Sequence, residues 1–439
     1  MKSKSRIGIG IIGFGTVGSG VVKLLRDNGD VLRRRLGIPL ELIKVADLDL
    51  KRDRGVALPS DVLTTDANEV LSHPEVDVVI ELMGGLEPAK QYILTAMARG
   101  KHVVTANKAL LAASGEDLFA AAATHGVDFE FEASVGGGIP IVRALKEGLS
   151  ANRIESIYGI INGTSNFILT KMTDERKPFA DVLAEAQRAG YAEADPTSDI
   201  EGLDSANKLA ILVVLAFGTP VNLKEIYTEG ITGVTPLDIE FAREFGYRIK
   251  LLAIAKAQQG AIEARVHPTM IPEEYLLAQV GGVFNAIYVV GDYLGQGLFY
   301  GRGAGDRPTA SAVVSDVIEI GRNIRTGGVG RVPPASYPAD GRRHQRLLAM
   351  DEITSLYYLR FAAVDHPGVL STIAGVLGKY NISISSVIQK GRKAGGAVPV
   401  VMMTHRARER DVRQALAEID GMPSVLDKTV LIRVEGEGD

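Results

Sequence analysis

Residues 6–37 constrain the fold more than any other stretch. An apolar run from Arg6 to Ile12 leads into Gly13-Phe14-Gly15-Thr16-Val17-Gly18, and Val21 to Gly37 follows with helical spacing. A G-x-G-x-x-G hexapeptide alone is a weak signal. Between a strand and a helix it has a physical meaning. The first glycine permits a tight turn, the second lets a pyrophosphate approach the backbone, and the third lets helix and strand pack closely. The helix start then offers free N–H groups and the positive end of its dipole. We therefore read the chain as opening on a nicotinamide dinucleotide-binding domain, with Gly13, Phe14, Gly15, Thr16, Val17 and Gly18 as cofactor contacts.

The segments that follow agree. Strand-like runs at 41–49, 76–84, 101–107 and 127–136 alternate with helical ones, among them the alanine-rich KQYILTAMARG. That alternation predicts an α/β architecture, a Rossmann doubly wound parallel sheet. After Ser134 the pattern changes. Residues 198–218 and 235–258 read as helices, and 261–272 and 285–292 as strands, which suggests an α+β substrate and dimerisation domain. An amphipathic helix at 308–324 suits packing back on the first domain. Residues 326–343 are rich in glycine and proline and read as a linker. The tail then gives strand, helix, strand, strand, helix, strand, the ferredoxin-like βαββαβ order. The expected domains are residues 1–133 with 305–325 packed on them, 134–304, a linker over 326–350, and 351–439.

Composition narrows the chemistry. The 439 residues include no cysteine, which removes disulfides, thiolate metal sites and cysteine nucleophiles. A net charge of −4 gives no reason to expect nucleic acid as a partner. No stretch of about 20 apolar residues is free of charge, so no membrane span is expected. The basic start and the apolar run after it do not make a signal peptide, because glycines break the run and no cleavage pattern follows. The expected location is cytoplasmic.

Four places carry candidate chemistry. At the end of the second strand Asp47 suits ribose hydroxyls, whereas Lys44, Lys51, Arg52 and Arg54 suit a 2′-phosphate, so NAD and NADP both stay open. Lys108 follows a parallel strand directly, where ligands sit in open α/β sheets, and it can touch nicotinamide or substrate, or simply cap a carbonyl. Three successive glycines in EASVGGGIPIV break a strand. Glu132 with the carbonyls of Val135, Gly137 and Ile139 would suit a hard cation; a flexible hinge explains the glycines equally. The most informative segment is GYAEADPTSDIEGLDSANKLAIL, residues 190–212. Asp204 and Lys208 are four apart on one helix face. A surface ion pair would be worth little. The helix, however, continues as LAILVVLAFG, and a lysine entering a buried helix is costly unless it lines a cleft with partners.

The combination GFGTVG, VVTANKALL, FEASVGGGIPI, GIINGTSNFILT, GYAEADPTSDIEGLDSANKLAIL and GRGAGDRPTASAVVSD resembles the homoserine dehydrogenase family over residues ~5–330, in the same order. The tail, with DHPGVL at 365–370, resembles an ACT domain, the layout of the monofunctional bacterial type. The resemblance implies NAD(P)-linked interconversion of aspartate 4-semialdehyde and L-homoserine. It implies Lys208 as the proton-transfer lysine and Lys108 as the lysine between coenzyme and substrate. Glu193 and Asp204, with Asp199 close by, become the substrate-binding carboxylates. Gly190 and Gly305 become nucleotide contacts. Glu132, Val135, Gly137 and Ile139 become a sodium-type monovalent cation site.

The ACT resemblance implies an amino-acid effector, threonine by family analogy, at Asp365, Gly368, Val369, Leu370, Asn381 and Ile382. It also implies a homodimer or homotetramer; a tail that only dimerises the enzyme is the plainer alternative. Two rival readings stand against it. Aspartate-semialdehyde dehydrogenase works through a cysteine thioester, which this chain cannot form. A non-catalytic dinucleotide or amino-acid sensor would keep GFGTVG and the ACT loop but would have no need of Lys208 with Asp204.

Overall fold

The computed structural model describes residues 4–390 and 397–436. Ile7–Ile12, Val78–Glu81 and His102–Thr105 are buried at every position, as apolar strands covered on both faces must be. They lie in a six-stranded sheet with Leu63–Thr64, Leu40–Ala46 and Phe129–Glu130, and every pairing is parallel. Numbered along the chain, the strand order is 3-2-1-4-5-6. The order reverses between Ile7–Ile12 and Val78–Glu81. In a sheet of this kind the ligand crevice lies at that reversal, outside the carboxyl ends of the strands.

This sheet belongs to the first of two units, formed by residues 1–161, 204–224 and 284–345. Helix Asp306–Thr326 packs on helix Thr16–Asp27, although nearly three hundred residues of chain separate them. Gly20 makes the approach possible, since a Cβ there would stand 2.8 Å from the carbonyl oxygen of Asp306. Ala310, Val313, Val317 and Ile320 share one core with Ile7, Ile9 and Val21. The same unit holds an antiparallel trio, Ile154–Ile160, Phe284–Gly291 and Gly295–Arg302. The residues before the tail are tied down here: Tyr337 donates to the carbonyl of Ala216 at 3.0 Å, and Arg342 pairs with Glu116.

The second unit comprises residues 162–203, 225–283 and 346–439. Its longest feature is a hairpin, Tyr247–Gln258 against Ala261–Pro272, paired over the full length of both strands. The tail forms an antiparallel four-stranded sheet ordered Val430–Val434, Thr354–Val364, Ala397–Thr404, Ile384–Gln389. Helices Val369–Lys379 and Glu409–Asp420 cover it over a core of Leu359, Phe361, Ile373, Leu377, Val412 and Ile419. Val430–Val434 also pairs in parallel with the long hairpin, Thr269 opposite Arg433. Among the described residues no helix is long and apolar enough to cross a membrane.

Several elements differ from the sequence reading: the helical run over 21–37 divides at Asn28 into Thr16–Asp27 and Gly29–Leu36, and three more change. The helix expected over 235–258 is helix Pro236–Glu244 followed by strand Tyr247–Gln258. The helix start is strong, with Pro236 in the first turn and a reciprocal Thr235–Asp238 capping box. Gly246, at φ +82°, ends it. The strand beyond is buried on both faces, so its unbroken apolar run has no alternation to distinguish it from a helix. The helix expected over 198–218 breaks into Thr197–Ile200 and Leu203–Phe217, with Gly202 at φ +80° between them. The strand expected over 127–136 shortens to Phe129–Glu130, because the chain turns at Glu132–Ser134 and enters positive φ at Gly136 and Gly137.

Candidate active site

The glycine loop fits a dinucleotide pyrophosphate. Gly13 has φ +101°, and a Cβ on it would stand 2.6 Å from the carbonyl carbon of Leu82, which begins the loop on the other side of the strand-order reversal. A Cβ on Gly18 would strike the carbonyl oxygen of Gly13. Gly15 faces open space, as a residue against a phosphate must. Helix Thr16–Asp27 has no side-chain cap, and its bond from the N–H of Ser19 reaches the carbonyl of Gly15 at 2.9 Å. The N–H groups before it are left for an anion.

The adenosine end is more crowded than the sequence suggested. Asp47 Oδ2 accepts from the N–H of Phe14 at 2.6 Å, and its Oδ1 accepts from Asp49 N–H and from Arg54 at 3.1 Å. Arg54 also donates to the carbonyl of Phe14, and its guanidinium lies 4.9 Å from the Phe14 ring centroid. Both devices noted in the sequence, the acid and the base, thus meet beside the glycine loop.

The carboxyl ends of the central strands are held by a residue that sequence reasoning missed. Glu81 is fully buried, accepts from the N–H groups of Met83 and Gly84 at 2.9 and 3.2 Å, and takes the Thr105 hydroxyl at 2.6 Å. A carboxylate closing the apolar run Val-Val-Ile-Glu was its only signal. Asn107 caps helix Lys108–His125 through the N–H of Leu110 and donates to the carbonyl of Gly85 at 2.7 Å. Lys108 is thereby placed at the first position of a helix that starts at the crevice.

There it meets the acid–lysine helix. Asp204 stands in the first turn of Leu203–Phe217, where the helix dipole favours a carboxylate. Lys208 donates to Asp204 Oδ2 and to the carbonyl of Ile161, both at 2.7 Å. Lys108 Nζ lies 2.9 Å from Asp204 Oδ1. One carboxylate thus bridges two ammonium groups. The side chains of Asp204 and Lys208 are only 6% and 10% exposed, whereas Lys108 is 44% exposed and faces solvent. The reading that Lys208 is a buried lysine with built partners, and not a surface pair, follows from these numbers.

The other predicted residues fall as follows. Gly305, at φ +119°, is the residue before helix Asp306–Thr326 in the first unit. Glu193, Asp199 and Gly190 belong to the second unit. Glu193 is exposed, and Gly190 (φ +75°) has open space where a Cβ would be. Asp199 is half-buried and accepts from the Asn162 amide at 2.7 Å. The same Asn162 caps helix Gly163–Glu175 through the N–H of Ser165. Asn162 was also missed, although the motif GIINGTSN contains it.

At the glycine triplet, both carboxylate oxygens of Glu132 accept backbone N–H groups, from Val142 at 2.9 Å and Arg143 at 2.8 Å. Burial pushes its carboxyl up to about 7, and those two N–H bonds pull against the shift. Asp316, fully buried beside it and bonded to Glu132 N–H and Arg143, is pushed well above the usual carboxylate range by burial and by Glu130 and Glu132. The carbonyls of Glu132 and Ile139 accept from Val135 and Ile141. Among the described residues no group of three or more His, Asp or Glu side chains could hold a metal. In the tail, Gly368 (φ +93°) precedes helix Val369–Lys379, Asn381 has φ +57°, and Ile382 is buried.

A doubly wound sheet, a phosphate loop at its reversal and a lysine–carboxylate cluster at its carboxyl edge define an NAD(P)-dependent oxidoreductase. Comparison with known proteins gives the family. Residues 13–132 match the model of the homoserine dehydrogenase NAD-binding domain, residues 140–318 that of homoserine dehydrogenase, and residues 357–423 that of the ACT domain. A homoserine dehydrogenase of Neisseria gonorrhoeae is 48% identical over 99% of both chains. The crystal structure of one from Thiobacillus denitrificans superposes with a TM-score of 0.94 at 47% identity, covering 99% of both. A hyperthermophilic archaeal homoserine dehydrogenase in complex with NADPH superposes at 0.61 with 28% identity, over 72% of this chain and 97% of that one.

The chain belongs to the homoserine dehydrogenase family. Its reaction is the reversible NAD(P)H-dependent reduction of L-aspartate 4-semialdehyde to L-homoserine, and its tail is an ACT domain.

Proposed function

We propose that Lys208 is the proton donor of this reaction and that Lys108 and Asp204 complete its catalytic group. The observation that carries the reading is the bridge Lys208–Asp204–Lys108, which combines a buried lysine, a buried carboxylate and an exposed lysine at the crevice. NAD(P)H, when bound, supplies the hydride to the aldehyde carbon. As the carbon–hydrogen bond forms, negative charge grows on the aldehyde oxygen. The Lys208 ammonium donates its proton to that oxygen, giving the alcohol; in the oxidative direction neutral Lys208 takes the hydroxyl proton. Two ammonium groups around one carboxylate leave net positive charge beside the developing oxyanion, and the low exposure of Lys208 keeps that charge effective. Asp204 orients both lysines.

Glu193, Asp199 and Asp204 are proposed to hold the α-ammonium of the substrate, which fixes the reacting carbon. Lys108, the exposed partner, is the one that gives way if the substrate ammonium comes to Asp204. Gly13, Phe14, Gly15, Thr16, Val17, Gly18, Lys108, Gly190 and Gly305 are proposed cofactor contacts. We further propose a sodium-type cation at Glu132 with the carbonyls of Val135, Gly137 and Ile139, a regulatory amino acid (threonine) at the tail's Asp365–Leu370 loop and Asn381–Ile382, a homodimer or homotetramer, and a cytoplasmic location. The divisions at residues 133, 304 and 350 are proposed as domain boundaries.

The test is homoserine-dependent reduction of NAD and NADP by the wild type and Lys208→Ala. The variant is expected to lose about 10²- to 10⁴-fold in kcat, the range for a general acid–base, while its dinucleotide affinity holds. Activity retained in the variant would sink the role.

A further inference from the structure

A cleft of about 690 Å³ opens inside the second unit, between the segment 227–234 and the tail's second helix and last strand. Nothing in the proposed chemistry uses it. Its walls carry Arg413, Arg433 and Lys428 as cations, Glu201, Glu229 and Asp420 as carboxylates, and Val234 and Leu416 as apolar surface. The charges are not all satisfied. Arg413 donates through Nε to buried Glu409 at 2.9 Å and through Nη2 to the Tyr227 hydroxyl at 3.0 Å, which leaves Nη1 without a partner among the described residues. Lys428 makes no ion pair among them. Glu229 takes Arg433 and the Tyr227 hydroxyl on Oε2, both at 2.7 Å, and Oε1 is left over.

The frame is rigid, since Arg433 is almost wholly buried between Glu409 and Glu229 and lies 5.0 Å from the Tyr227 ring centroid. Unpaired donors for a carboxylate thus share one cleft with an unpaired acceptor for an ammonium. A free α-amino acid is the small molecule that carries both.

The cleft wall is also built into the approach to the catalytic helix. Ile231 N–H donates to the carbonyl of Ile200 at 2.8 Å, and Thr232 Oγ1 donates to Glu201 Oε1 at 3.3 Å. A Cβ on Gly230 would strike the carbonyl oxygen of Ile200, so no slack lies between wall and turn. Helix Leu203–Phe217, with Asp204 and Lys208, begins two residues after Glu201.

We propose that this cleft is an amino-acid site separate from the Asp365–Leu370 loop. It takes the carboxylate on Arg413 and Lys428 and the ammonium on Glu229. Its occupancy is passed through Gly230–Thr232 to the Ile200–Glu201 turn. It rests on the reading that the tail makes this an amino-acid-regulated enzyme.

The test is calorimetric titration of the full chain with the twenty protein amino acids singly, L-threonine first. It is then repeated on Arg413→Gln, Lys428→Gln, Glu229→Gln and Asp365→Ala. Lys428 is exposed and unpaired, so its variant folds as the wild type does. Each cleft variant is expected to weaken the amino acid that binds by about tenfold, the effect of one charge-assisted contact. Asp365→Ala, which acts on the loop site, should leave the cleft's own phase of the titration within twofold. For threonine, analogues lacking the carboxylate (threoninol) or the amine (3-hydroxybutyrate) should not compete. Binding unchanged in all three cleft variants but lost in Asp365→Ala would overturn the cleft and leave the regulatory reading standing. No binding of any amino acid by the wild type would overturn both.

Discussion

Asp204 accepts one lysine on each carboxylate oxygen, and its removal separates two effects. Asp204→Ala would remove the carboxylate from the buried Lys208 ammonium, whose bond to the Ile161 carbonyl remains. Breaking a buried pair from one side costs about 3 kcal/mol, and urea unfolding at pH 7 should show a loss of that order. A loss within a few tenths of a kcal/mol would mean that Lys208 swings to solvent. The pair itself was legible in the sequence, because four-residue spacing at the head of an apolar helix is a local signal. The partnership with Lys108 was not, since contacts between distant segments leave no periodic trace. Glu81 and Asn162 escaped for the same reason: each acts through neighbours that only the fold supplies.

His267 gives a second residue-scale prediction. It is fully buried; burial first, then Arg433, Arg265 and Lys256, holds its imidazole well below the ordinary histidine range, and the Pro268 carbonyl opposes them. Thr269 Oγ1 lies 2.9 Å from its Nδ1. A depressed folded pKa means that the unfolded chain binds the proton first. The stability held above pH ~6.5 is therefore lost as pH falls, by up to about 1.4 kcal/mol per pH unit. Unfolding midpoints between pH 7 and 5 should fall more steeply for the wild type than for His267→Gln. Equal slopes would contradict the burial argument.

At the scale of elements, Gly13 is where the loop depends on a missing Cβ. Gly13→Ala must relieve a contact with the Leu82 carbonyl and hold a non-glycine residue at φ +101°. We expect dinucleotide affinity to fall by at least tenfold, read by NADPH fluorescence titration, and Gly15→Ala, beside open space, to act only through the ligand. The parallel strands and the ferredoxin-like tail were legible because short apolar strands alternate with helices bounded by glycine. The long hairpin's first strand was misread because Tyr247–Gln258 is apolar on both faces, and the strand at 127–136 because only three-dimensional packing tells where a glycine triplet turns. Strand Gly295–Arg302 is largely open to solvent and contains three glycines, so neither alternation nor β propensity announces it.

At the scale of the molecule, the first unit gathers three separate stretches of chain, and helix Asp306–Thr326 closes the dinucleotide side with its own apolar face. A ligand that binds only this folded unit stabilises it by mass action, about 2.7 kcal/mol at a hundredfold excess over Kd. NADPH should therefore raise the unfolding midpoint of the wild type, and that of Gly13→Ala by clearly less, about 1.4 kcal/mol at the same concentration for a tenfold weaker site.

The central claim concerns Lys208, and chemical rescue reaches it most directly. Lys208→Ala would be assayed for NADPH-dependent reduction of aspartate 4-semialdehyde with and without added methylamine. The variant is expected to be slower by about 10²-fold or more, to bind NADPH as the wild type does, and to regain rate in proportion to the methylammonium supplied as a replacement acid. A variant within threefold of the wild type, or one whose deficit no amine relieves while its NADPH affinity collapses, would show that Lys208 holds the site together without moving the proton.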